Sequence, residues 1–190
     1  MDQAGALSLV NAWIQAEDAA PGPPRARTGE EAPDPMEERP HAGTPAGDAP
    51  GPPDAGYALE VTSGRCVVDA WGPDRASCFV QALRGVVTQY ARASDPPVIH
   101  TIPLATGPAA SEEVLASLVD EVIGALDVFS LVPVRFHLAD TEEGGVSGDM
   151  EVVAVTDVQV VGRRPRRVDR RELSAVADAG GWRCHVLVAV

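Results

Sequence analysis

The sequence contains no lysine, and all 15 of its basic residues are arginine. A phosphate-cradling GxxxxGK[ST] loop cannot be written without that lysine, and no GxGxxG run is present. Both common nucleotide-binding loops are therefore excluded. Arginine-only usage over a whole chain reads as compositional background rather than as a functional signal. Cysteine is scarce as well. Cys66, Cys78 and Cys184 are scattered without a CxxC or other paired spacing. That pattern fits buried thiols in a reducing cytoplasm better than a disulfide frame or a zinc site. No run approaches the roughly 18 continuous apolar residues that span a bilayer. The N-terminus is acidic and lacks the basic opening of a secretory signal. A soluble, cytoplasmic protein with no membrane partner is the expectation. Positive charge is short overall: 28 acidic residues against 15 basic ones leave a net charge of -13. That balance argues against broad, salt-dependent binding to nucleic acid, DNA included, or to anionic membrane, and any polyanion contact must be local.

What the chain does have is a 45% apolar content, enough for one ordinary domain core. That content is unevenly spread. Residues 1–17 contain Leu7, Val10, Trp13 and Ile14 at helical spacing, which predicts a short helix of about three turns. Residues 18–56 are dominated by Pro, Gly, Ala and charge, and read as a disordered tether in which His41 has no companion ligand. The folded domain is expected over 57–190.

Within it, "YALEVT" and "RCVVDAW" alternate and read as two short strands, or one bent strand, separated at Ser63-Gly64. After Gly72-Pro73, Asp74 can cap a helix carrying Phe79, Ala82, Leu83, Val86 and Val87 on one face to about Ala91. Proline-flanked Val98, His100, Ile102 and Leu104 predict an edge strand. A second helix is predicted from a cap at Ser111, with Glu112 and Glu113 in its first turn and a broad apolar face from Val114 to Leu126. The remainder reads as β: "VPVRFHLAD", a turn over "TEEGGVSGD", "MEVVAVTDVQVV", and a terminal hairpin turning at Gly180-Gly181. The order predicts an α+β fold, an antiparallel or mixed sheet packed against two amphipathic helices, with a βαβαβ doubly wound fold as the alternative.

Chemistry-bearing constellations are few. His100, His137 and His185 each fall in a predicted strand, without the helical i, i+4 spacing and glutamate of a zincin, and read as core or edge histidines. No GxSxG marks a nucleophile. Asp120, Glu121 and Asp127 lie on the second helix. Asp140, Glu142, Glu143 and Asp149 surround one turn without the ligand spacing of a calcium loop, and read as an exposed acidic turn. The exception to the acidic background is "GRRPRRVDRREL", where Arg163, Arg164, Arg166, Arg167, Arg170 and Arg171 form a local positive surface. It suits RNA phosphate or an acidic partner; its alternative is a solvated hairpin paired with the protein's own acids.

Residues 57–190 resemble the archease family, through "RCVVDAWGPDRASCFVQALRGVV", "EEVLASLVDEVIGALDVFSLVPVRFHL" and the closing "GGWRCHVLVAV". The resemblance implies an archease-like α+β fold. It also implies a non-enzymatic accessory protein of RNA ligation and tRNA processing, tRNA splicing included, that binds an RNA ligase. Archeases carry a His-Thr-Ala-Asp segment before the first apolar strand and an aspartate near the end of the last, which help to bind a divalent metal such as calcium. Here the first reads Val61-Thr62-Ser63-Gly64 and the second is Ala189. Gly64 and Ala189 thus occupy the family's ligand positions without a carboxylate, so no metal or other cofactor is expected. The arginine cluster would meet the ligase or RNA. The alternative is a degenerate archease-fold interaction module that recruits another partner through the N-terminal arm, residues 1–56.

Overall fold

Residues 55–190 are described in the computed structural model of the chain. The helix expected over 1–17, nearly all of the tether over 18–56, and His41 lie outside the described residues.

Strands β1 (Gly56–Thr62) and β2 (Arg65–Gly72) form an antiparallel hairpin, in register from Gly56 opposite Trp71 to Thr62 opposite Arg65. Of the two readings of this stretch, two strands is therefore the one realised. Gly64 takes φ +86 in the turn, a left-handed conformation that L side chains resist. Helix α1 (Arg75–Thr88) starts where expected: the Asp74 carboxylate accepts the Ser77 N–H at 2.7 Å and the Ser77 hydroxyl at 2.9 Å. Replacing Asp74→Ala should lower the unfolding free energy by about 1 kcal/mol, read as a lower denaturation midpoint with an unchanged slope in denaturant. An unshifted midpoint would mean that the cap contributes nothing.

The helix ends at Thr88, short of the expected Ala91. The reason is tertiary. The Tyr90 carbonyl accepts from the N–H groups of Val161 at 2.8 Å and Gly162 at 3.1 Å, and Ala91–Arg92 (β3) pairs with Gln159–Val160 (β7). Strand β4 (His100–Ala105) pairs on one side only, as its Pro103 requires.

Helix α2 (Ser111–Val128) buries Val114, Leu115, Leu118, Val119, Val122, Ile123 and Leu126, the whole face read from the periodicity. Its cap differs from expectation: Ala110 holds the N-cap position with no side-chain bond, and Ser111 is the first helical residue. Glu112 and Glu113 in the first turn are left to offset the helix dipole.

Strands β5 (Leu131–Asp140) and β6 (Val146–Ala154) follow. The turn between them is confined to residues 141–145, so β6 starts four residues before the expected Met150. Gly144 at φ +91, with its N–H donating to the Thr141 carbonyl at 3.0 Å, turns the chain tightly. β6 also stops early, at a 3₁₀ turn over Val155–Asp157.

Strands β8 (Arg167–Val168), β9 (Ser174–Asp178) and β10 (Gly181–Ala189) complete the fold. Asp178 opposes Gly181, so Ala179-Gly180 forms the hairpin turn and Gly181 already belongs to the strand.

Among the described residues all strand pairings are antiparallel, which removes the doubly wound alternative and the mixed-sheet reading for them. The larger sheet runs β1-β2-β10, with β9 and β8 sharing the far edge of β10. A separate sheet runs β4-β6-β5. Helix α1 contacts β1, β2 and β10 of the first sheet and β5 of the second, while α2 contacts β5, β8, β9 and α1. The expected α+β class is realised as a helix pair packed against two sheets.

Phe79, Leu83, Leu115, Leu118 and Met150 are fully buried between these layers, each contributing about 1.5–3 kcal/mol on transfer from water. The three cysteines are free and buried, as their scatter implied. The Cys184 thiol, 2.9 Å from the Cys78 sulfur, is pushed well up from its ordinary range by that contact, which favours its protonated form, and by burial. Burial does the same to Cys66. Both therefore stay protonated.

Candidate functional site

Alternation along β2 and β10 places Cys66, Val68, Cys184, Val186 and Val188 on the helix side of the larger sheet, where all five are buried. Residues of the opposite parity face away from the helices. On that outer face the register sets up a rung at one end of the sheet: Thr62 opposes Arg65, Arg65 opposes Ala189, and Ala189 opposes Arg167.

The turn at Gly64 closes over the same end. Its carbonyl accepts the Val190 N–H at 3.1 Å, and the Ala189 carbonyl accepts the Arg166 N–H at 2.9 Å. Gly64, Ala189, Arg166 and Arg167, drawn from three distant stretches of sequence, are thereby brought together.

Arg163 joins this end from the other side of the turn. A groove of about 530 Å³ runs from the turn at Gly64 past the C-terminal end of α1. Leu59, Val61 and Val161 supply its apolar lining, and Arg92 and Arg163 its cationic lining. The position of Arg163 is set by Gln89, the one buried polar side chain among the described residues, whose amide donates to the Arg163 carbonyl at 3.0 Å. Sequence reasoning missed Gln89. Its only sequence signal was a polar residue two positions after the apolar pair Val86-Val87.

The arginine cluster does not act as one surface. Arg164 lies 3.6 Å from Asp127 and 5.8 Å from the centre of the Tyr90 ring, and Arg170 is 2.5 Å from Asp120. Two of the six arginines are thus taken up by acids of α2. Among the described residues Arg163, Arg166, Arg167 and Arg171 make no ion pair, nor does Arg65. Three of those four cluster members sit at the Gly64–Ala189 end. Arg171 lies further along the segment, its N–H donating to the Asp169 carboxylate at 3.1 Å.

The other predicted groups do not converge there. His100 is exposed on β4. His137 Nε2 is 3.5 Å from Glu151, whose carboxyl is held below its usual range chiefly by the Arg135 hydrogen bond, with His137 adding to it. Asp140 of the acidic turn is taken by Arg75 at 2.7 Å, while Glu142 and Glu143 are exposed.

His185 Nδ1 bonds the Asp69 carboxylate at 2.7 Å, and Ser174 opposes His185 from the other neighbouring strand. Asp69, His185 and Ser174 therefore share a rung, but of the two links only the one to Asp69 is made. The rung lies on an open sheet face, which provides nothing to exclude water. A second concavity of about 600 Å³ lies along α1 and β5, lined among others by Ser77, Gln81, Arg84 and His137. No hydrogen bond links those four side chains to one another.

The resemblance to archeases implies a divalent metal at the Gly64–Ala189 end. A hard cation needs six or more oxygen donors, several of them anionic. The side chains gathered here are a hydroxyl, two guanidiniums and a methyl group, and no group of three or more His, Cys, Asp or Glu among the described residues could hold a metal ion. These residues do not fit the metal.

The architecture is that of a small antiparallel α+β protein in which two helices pack against two sheets. Among solved structures it is similar to protein 1598 of Methanobacterium thermoautotrophicum, with a TM-score of 0.51 and 14% identity, covering 71% of this chain and 99% of that one. An archease from Thermotoga maritima, described as a possible chaperone, superposes with a TM-score of 0.48 and 9% identity over 70% of this chain and 94% of that one. In sequence the chain is 29% identical over 123 residues to the probable protein archease of Mycobacterium tuberculosis, in strains CDC 1551 / Oshkosh and H37Rv, covering 65% of this chain and 68% of the relative. No family model matches. The chain is thus similar, in sequence, to proteins named archease. Among the described residues no helix is long and apolar enough to cross a membrane.

Proposed function

We propose that the chain is a non-enzymatic accessory protein of RNA ligation or tRNA processing, which acts in the cytoplasm by binding an RNA ligase and carries no resident metal. The observation that carries this reading is the convergence of Gly64, Ala189 and unpaired arginines at one end of the sheet, in a chain similar to proteins named archease. Where the family would place anionic ligands, this chain presents cations and an apolar groove. Such a surface suits recognition of an acidic protein face or of RNA phosphate. It holds no assembled acid, base and nucleophile.

The test is co-purification of the full chain with the RNA ligase of the same cell, with and without RNA. Stable capture is expected, and replacing Arg163, Arg166, Arg167 and Arg171 together by alanine should weaken it by at least roughly tenfold. A ligase that never associates, or one captured equally by the four-alanine variant, would overturn the reading.

A further inference from the structure

We propose that the outer-face rung Thr62–Arg65–Ala189–Arg167 is a binding site for a phosphate group. Direct opposition across antiparallel strands puts these four side chains on one face. Arg65 and Arg167 stand on strands two apart, so their backbones are separated by about 9.5 Å, twice the interstrand spacing. Only the methyl group of Ala189 lies between them. Two long guanidinium side chains that flank a small residue can lean inward over it, and each presents a planar fork suited to paired oxygens. A tetrahedral phosphate has oxygens enough to engage both forks, whereas a planar carboxylate is filled by one. The Thr62 hydroxyl supplies a further donor beside Arg65.

Both arginines are exposed, and neither is neutralised by an ion pair among the described residues. The acidic side chains nearest by register are Glu60, opposite Val67 in the next rung, and Asp169, whose N–H is bonded to the Leu187 carbonyl. Neither lies in the rung itself. The net charge of -13 repels long polyanions, so this attraction is short-ranged and selects one phosphate rather than a backbone track. Two cationic contacts on single-stranded nucleic acid give a log–log salt slope of about -1.4, far shallower than a general nucleic-acid binder shows. The site also accounts for the poor fit to a metal, since Ala189 is the position at which a carboxylate would neutralise both arginines.

The proposal rests on the preceding functional reading only where it takes RNA as the carrier of the phosphate. The full chain is titrated by calorimetry with inorganic phosphate, then with a short single-stranded RNA ending in a phosphate and the same RNA ending in a hydroxyl. Saturable phosphate binding is expected, weakened roughly tenfold or more by Arg65→Ala or Arg167→Ala and abolished by Ala189→Asp. Arg65→Lys keeps the charge but loses the fork and should fall between. Unchanged denaturation midpoints of these surface variants establish that they fold. The phosphate-ended RNA should bind more tightly than its hydroxyl-ended twin, and inorganic phosphate should displace it. If phosphate binds at the rung and the two RNAs do not differ, the site stands with a free phosphate as its ligand, and the RNA reading fails. Absence of saturable phosphate binding, or binding indifferent to all four substitutions, overturns the proposal.

Discussion

Gly148→Ala should abolish the native fold or destabilise it by more than about 4 kcal/mol, a loss reserved for backbone conflicts and major core damage. Gly148 lies in β6, the middle strand of the smaller sheet, and opposes Leu104 on one side and Leu138 on the other. Its φ is +156, and a Cβ built there would sit 1.8 Å from the His137 carbonyl oxygen and 2.8 Å from its carbon. The obstruction is backbone, so no rotamer change relieves it, and β5 cannot retreat without losing the ladder that joins it to β6. Guanidinium denaturation with near-ultraviolet circular dichroism is the measurement. A midpoint close to that of the unmodified chain would show that β5 and β6 are not paired as described.

Arg75→Ala is expected to cost about 3 kcal/mol. Arg75 is the first residue of α1, where the helix dipole disfavours a cation. Its side chain is only 12% exposed, and its charge is used elsewhere. The guanidinium donates to Asp140 at 2.7 Å and to the carbonyls of Gly144 and Gly145 at 3.1 and 2.9 Å, joining the start of α1 to the β5–β6 turn. Removing it leaves a carboxylate and two carbonyls to find other partners. Arg75→Lys should recover part of the loss, because one ammonium cannot reach all three acceptors in that fork geometry. Equal stability of the alanine and unmodified proteins in a denaturant titration would show the contact to be energetically idle.

Arg75 also marks a limit of sequence reading. Nothing around it distinguishes a cation at a helix start from a mistake in the helix boundary. Its meaning comes from Asp140, 65 positions away. The face of α2 was readable because the 3.6-residue period is local, and the β1–β2 hairpin because its alternation is interrupted only at Ser63-Gly64. The end of α1 was not, since Val86, Val87 and Ala91 keep helical spacing while the chain is already turning to meet Val161 and Gly162. Likewise, the division of the strands into separate sheets depends on pairings such as Arg65 with Ala189, which no local pattern carries.

The candidate site was legible in part. The arginine run is visible at a glance, but its division is not: Arg164 and Arg170 are bound to acids on α2, while Arg166 and Arg167 are placed beside Ala189 by β10. Arg65, the residue that completes the rung, looked like an ordinary strand start. Its importance lies in register, which sequence fixes only once the partner strand is known.

The central place of β10 has a consequence for how the molecule forms. Local pairing can make β5 and β6 early, since a short turn joins them. The larger sheet must wait: β10 is the last described strand, yet it lies between β2 and the β8–β9 edge, and its pairing with β2 joins residues more than a hundred positions apart. Loop closure on that scale is entropically costly before any contact repays it. Until β10 arrives, β2 presents an unsatisfied edge, and Val67 and Val68 on it are open to the wrong strand. The insertion of this one strand is the expected slow step in folding and the expected moment of greatest exposure to mispairing.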